Sequence, residues 1–115
     1  MSTTADVPTA STGTTTIVVA GTFPVDGSQA AALSAAANAM RVATLQEDGC
    51  IEYRFSFATD DANTMMVFEE WRDQDALTAH FGAPHMAIFQ AAMAGFVSGA
   101  PVVDKFAVTG KGPLR

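Results

Sequence analysis

Cys50-Ile51-Glu52-Tyr53-Arg54-Phe55-Ser56-Phe57-Ala58, followed after Thr59-Asp60-Asp61-Ala62-Asn63 by Met65-Met66-Val67-Phe68-Glu69-Glu70-Trp71, is the stretch on which the fold turns. The first run alternates, with Ile51, Tyr53, Phe55 and Phe57 on one side and Glu52, Arg54 and Ser56 on the other, the pattern of a strand with one wet face. The second run is apolar on both faces apart from Glu69 and Glu70. The polar cluster between them has turn chemistry, so the two runs read as a hairpin.

Upstream of the hairpin, Ile17 to Phe23 is a short β-branched and apolar run closed by Pro24, suited to a strand buried on both faces. From Asp26 or Ser28, both good N-caps, an Ala-rich helix is expected to about Leu45, with Leu33, Ala36, Ala37, Met40 and Thr44 at helical spacing. Its face is narrow and built of small side chains, which permits close approach to a sheet. Downstream, Asp73 caps a short helix through Phe81, Gly82 ends it, and Pro84 opens another through about Gly95. The last strand is Val102 to Thr109, alternating again. The order βαββαβ predicts an α+β, ferredoxin-like domain over residues 17–109, with an antiparallel four-stranded sheet. The first and third strands, apolar on both faces, take its centre. Helices cover one sheet face only, so the other requires a lid, and a homodimer packed sheet against sheet is expected.

The chain has 115 residues, enough for one domain but not two. Residues 1–16 hold nine Ser or Thr and almost nothing large and apolar, which reads as a flexible tail, and residues 110–115 read as a short polar C-terminal tail. Six basic residues against twelve acidic ones give a net charge of −6, and no cluster of bases among aromatics suggests a nucleic-acid partner. No apolar stretch approaches the ~20 residues of a membrane span and the N-terminus has no signal-peptide pattern, so no membrane association and a cytoplasmic location are expected. Cys50 is the only cysteine, which excludes an intrachain disulfide and a thiolate-rich zinc site and leaves a small buried residue.

No Gly-rich phosphate loop, HExxH, GxSxG or EF-hand loop occurs. What remains is Glu47-Asp48-Gly49-Cys50, then Tyr53, then Phe68-Glu69-Glu70-Trp71-Arg72-Asp73, Ala76-Leu77, His80 and Pro84-His85. In that order and spacing the string resembles the antibiotic biosynthesis monooxygenase family, over about residues 17–109. The resemblance implies a dimeric α+β barrel of ferredoxin-like subunits, each with a pocket between sheet and helices. Similar proteins include cofactor-free oxygenases of quinols or polycyclic phenols, haem-degrading enzymes and an isomerase of a signalling molecule. The haem-degrading pattern is a poor fit: residues 17–23 hold no Asn, and His80 and Gln90 stand where a Trp and a haem-ligating His would be.

Oxygenation without a cofactor calls for a dry aromatic pocket, a base and donors to developing negative charge. His80, near a helix C-terminus, should hold its proton more firmly, whereas His85, in a first turn and on a face continued by Ile88, Phe89, Ala92 and Phe96, is the better base. Either histidine can equally be structural. Glu69 either orients a histidine or binds a substrate hydroxyl, or else forms a salt bridge to Arg54 or Arg72. Tyr53 and Trp71 either form a stacking wall or fill the core, and Phe89 and Met93 complete the substrate-binding set if they are not core themselves. Glu47-Asp48 and Asp60-Asp61 read as solvated turns. A metal site of His80, His85 and Glu69 is not expected, because the histidines flank a helix break and need not converge. The expectation is thus a cofactor-independent monooxygenase acting on a small aromatic substrate with dioxygen, with no metal. A non-catalytic dimeric binding module and an isomerase of a small carbonyl metabolite are the alternatives.

Overall fold

The computed structural model describes residues 15–115, so the expectation for the first fourteen residues of the N-terminal segment lies outside the described residues. Eight segments follow in order: β1 (Thr16–Pro24), a 3-10 turn (Gly27–Gln29), α1 (Ala30–Thr44), β2 (Cys50–Ala58), β3 (Asp61–Trp71), α2 (Gln74–Phe81), α3 (Pro84–Met93) and β4 (Val102–Val108). The sheet is antiparallel, in the order β2-β3-β1-β4, so the strands apolar on both faces are its two central ones. Asp26 caps the 3-10 turn by accepting from the Ser28 amide, and α1 starts three residues later than the cap suggests.

The helices pack on one sheet face, and two adjoining apolar clusters fill the space between. One joins Ile17, Val19, Met40, Tyr53, Trp71 and Leu77; the other joins Val25, Leu33, Ala37, Met65 and Met93. Leu33, Ala37, Met40 and Thr44 are the buried stripe of α1, as their spacing requires. Between β1 and β4, a Cβ on Gly21 would fall on the Val102 carbonyl. Glycine lets the strands meet there.

Two features depart from the strand patterns. Cys50 pairs with Trp71 and Glu52 with Glu70, so Ile51 is an extra residue in β2. The resulting bulge leaves Ile51 exposed and turns Cys50 toward the core, where alternation alone would put Ile51. Second, β4 is exposed along nearly its whole length instead of alternating, because no helix reaches across to cover it. On the open face of the sheet Met66, Phe68, Val102 and Phe106 remain exposed.

Candidate active site

Three elements bring one acidic and two imidazole side chains together. The chain leaving α1 turns with the Glu47 amide donating to the Thr44 carbonyl at 2.9 Å, and Gly49 then reverses direction at φ +90°. A Cβ at Gly49 would sit 2.6 Å from the Ala76 Cβ, so only glycine lets this turn lie against α2. α2 is itself fixed by Asp73, whose carboxylate accepts from the Ala76 amide at 2.8 Å. His80 lies in its last turn, buried, and His85 follows Pro84 in the first turn of α3. Both rings reach the same oxygen: Glu47 Oε2 lies 2.7 Å from His80 Nδ1 and 2.6 Å from His85 Nε2.

This geometry selects tautomers. A carboxylate only accepts, so His80 must carry a proton on Nδ1 and His85 on Nε2. A neutral His80 then presents an unprotonated Nε2, and that buried atom has no hydrogen-bond partner among the described residues. Around it the ring packs 4.7 Å from Trp71 and 5.2 Å from Tyr53, centroid to centroid. The arrangement is that of an imidazole oriented by a carboxylate, with its second nitrogen buried and unpaired among the described residues.

Beside this cluster, between sheet and helices, lies a cavity of about 470 Å³ walled by Phe23, Tyr53, Phe55, Met86, Phe89 and Met93. The Phe55 ring sits 5.4 Å from Tyr53 and 5.2 Å from Phe89, a continuous aromatic lining. Glu69 is the charged side chain of the wall; its Oε1 accepts from Trp71 Nε1 at 2.9 Å. Burial pushes the Glu69 carboxyl up to about 7, against the pull of the indole hydrogen bond and with help from the negative Glu47. Burial, followed by the charges of Glu69, Glu47 and Cys50, drives the Tyr53 phenol well above its ordinary range, so Tyr53 stays a donor. Cys50 is pushed up to about 11 by burial and the surrounding carboxylates, which removes it as a nucleophile.

Against the sequence expectations, His80 and His85 do converge, although they flank the helix break. Their carboxylate is Glu47, which the sequence reading places in a solvated turn; only its neighbour Asp48 is such a residue, exposed and paired with Arg72 at 3.0 Å. Glu69 orients no histidine and makes no bridge to Arg54 or Arg72, which pair with Glu52 and with Asp48 and Asp73. Trp71 is wholly buried and does not line the cavity; it holds Glu69 and packs on His80. Tyr53, Phe89 and Met93 do line it, whereas His80 and His85 do not: the buried His80 ring lies against Tyr53, 5.2 Å between centroids. The apolar face of α3 is Met86, Phe89 and Met93, whereas Ile88 and Ala92 point to solvent. Glu47 and the cavity walls Phe23, Phe55 and Met86 are residues sequence reasoning missed. The signal for Glu47 was its place two residues before a glycine in the recognised string.

Glu47, His80 and His85 offer donor atoms within 4.8 Å of one another, a set that suits a divalent ion in number and type. The fit fails beyond the ligands. A histidine bound through Nδ1 needs a partner for its Nε2 proton, and His80 has none among the described residues. The two short contacts are accounted for as hydrogen bonds to one carboxylate oxygen. No helix among the described residues is long and apolar enough to cross a membrane.

Comparison with known proteins locates the architecture. Residues 16–92 match the profile of the family described as antibiotic biosynthesis monooxygenase. The Synechocystis protein sll1783 is 33% identical over 73 residues, 64% of this chain and 50% of its own length. Rv0793 of Mycobacterium tuberculosis, provisionally named a monooxygenase, is 37% identical over 60 residues, 52% of this chain and 58% of its own. The chain thus spans about half the length of the curated relatives it matches. Among solved structures, a Caulobacter crescentus protein provisionally named an antibiotic biosynthesis monooxygenase superimposes with TM-score 0.78 at 25% identity, over 84% of this chain and 92% of that one. A conserved protein from Methanosarcina mazei, 18% identical, shares the fold with TM-score 0.75 over 80% and 91% of the two chains.

Proposed function

The chain belongs to the antibiotic biosynthesis monooxygenase family, and from that premise we propose that it is a cofactor-independent monooxygenase that oxidises a quinol or phenolic aromatic with dioxygen. The observation that carries this reading is an aromatic-walled cavity holding a single carboxyl poised near neutrality, next to two imidazoles tied to one carboxylate. The ring stacks among Tyr53, Phe55 and Phe89, and Glu69 takes the phenolic proton, its pKa close to the working pH as general-base catalysis favours. The phenolate passes electrons to dioxygen and a bond forms between a ring carbon and oxygen. Loss of that carbon's hydrogen and of the distal oxygen, as water, leaves a quinone. One ring C–H becomes C=O, and dioxygen supplies one atom to the product and one to water. His80, held by Glu47 with Nε2 unprotonated, accepts the proton released at the ring and returns it to the developing peroxide, while His85 braces the same carboxylate. Trp71 acts through Glu69 as a positioning residue.

A cytoplasmic homodimer is part of the same reading. Met66, Phe68, Val102 and Phe106 form an apolar surface on the helix-free sheet face, of the kind a second sheet covers.

Oxygen uptake with reduced naphthoquinols and phenols, corrected for autoxidation, tests the function. Uptake should persist after exhaustive chelation and disappear in a folded double variant, His80→Ala with His85→Ala. Unchanged uptake in that variant refutes the roles given to the histidines. Product formed without oxygen would favour an isomerase, and saturable binding without turnover a binding module.

A further inference from the structure

The aromatic cavity does not end at Glu69. A second cavity of about 390 Å³ shares three wall residues with it, Glu69, Phe81 and Val103, and continues past them along β4 to Gln74 and Lys105. Its chemistry differs. The first chamber is lined by rings and methionines, whereas the wall of the second includes Gln74, Asp104 and Lys105 beside Glu69.

Lys105 pairs with Val19 across the β1–β4 ladder and therefore projects on the helix-covered face, with Asp104 alternating to the other. Its Nζ donates to the Gln74 side-chain oxygen at 2.7 Å, a neutral acceptor that positions the charge without cancelling it. Arg41, Arg54, Arg72 and Lys111 each sit in a salt bridge; among the described residues Lys105 and the terminal Arg115 sit in none, and of these two only Lys105 lies at a cavity wall. In a chain of net charge −6, a basic group without a carboxylate partner at the wall of a cavity is a minority feature that calls for an anion.

We propose that the side chamber receives an anionic substituent of the substrate, paired with Lys105 and the Gln74 amide, while the ring occupies the aromatic chamber. The substrate class is then a hydroxylated aromatic acid rather than a plain phenol. Glu69 stands at the junction of the chambers, so it repels the anion from the aromatic chamber and fixes which end of the molecule enters first. The proposal rests on the cavity being an aromatic-binding site, as the proposed function has it.

Binding, measured anaerobically by calorimetry, separates the two claims. For the full chain, 6-hydroxy-2-naphthoate should bind about tenfold more tightly than 2-naphthol, an ion-pair preference that shrinks with added salt. Lys105→Met should bring the ratio to about one and Lys105→Glu should invert it, with 2-naphthol affinity changing less than about twofold. Lys105 is exposed, so neither variant threatens folding. Tight 2-naphthol binding with no preference for the carboxylate, or a preference that survives Lys105→Met, overturns this proposal alone. Failure of both ligands to bind overturns it together with the aromatic reading of the cavity.

Discussion

Glu47 and Glu69 are two carboxyl groups withdrawn from water on the same side of one sheet, and the surroundings give them opposite tasks. Glu47, on a turn, is met by two imidazole nitrogens within hydrogen-bond distance. Glu69, on a central strand opposite Tyr53, accepts from one indole N–H, and burial raises it to about 7. The first is a fixed acceptor that organises other groups; the second holds or gives up a proton. Partner supply, rather than depth alone, decides between a structural and a reactive carboxyl.

The largest expected effect is on the Glu69 side of that contrast. Below about pH 4.5 the carboxyl is protonated in folded and unfolded chains alike; as pH rises toward 7 the unfolded chain ionises first, so the folded state loses stability. The loss is on the order of 3 kcal/mol once pH exceeds about 7. Urea unfolding of the wild type at acid and alkaline pH should show it, and Glu69→Gln should flatten the slope. A variant as pH-dependent as the wild type would mean that Glu69 is not the raised group.

On the Glu47 side, Glu47→Ala strands the proton on the buried His80 Nδ1 and the one on His85 Nε2, and should cost about 2 kcal/mol in midpoint shift at unchanged m-value. A cycle with His80→Ala sharpens the point, because the two losses should be far from additive if the pair is one unit. The smallest effect is the most local. Gly49→Ala should destabilise by about 1 to 2 kcal/mol through its left-handed backbone alone, again by urea unfolding, with a further penalty where the methyl meets Ala76. A neutral Gly49→Ala would show that the turn carrying Glu47 adapts, and the contrast between a rigid and a titrating carboxyl would weaken.

The same two residues show what the sequence made legible. Glu69 was visible because a strand's period is short-range: Glu69 and Trp71, two apart, had to share a face, and their side chains are bonded. The strand order, the buried stripe of α1 and the Pro84 helix start were legible for the same reason. Glu47 was not, since its partners lie 33 and 38 residues away and local composition speaks only of a turn. Ile51 was misplaced because alternation assumes an unbroken ladder, and a bulge leaves no mark in residue type. The chamber at Lys105 escaped notice because it needs β1, β3, β4 and α2 assembled at once.

Ile51 has a consequence for how this domain can vary. Cys50 and Tyr53 are an odd number of positions apart, yet both face the helices, and the inserted residue is what reconciles them. Loss of that one residue would bring Cys50 to two positions from Tyr53 in an unbroken ladder, with Cys50 still opposite Trp71 and the preceding turn, with its acid, still on the helix side. The bulge therefore gives this edge a one-residue tolerance: β2 can lose Ile51 and keep the acid beside its imidazoles, whereas a single deletion in an unbulged strand turns every residue before it to the other face.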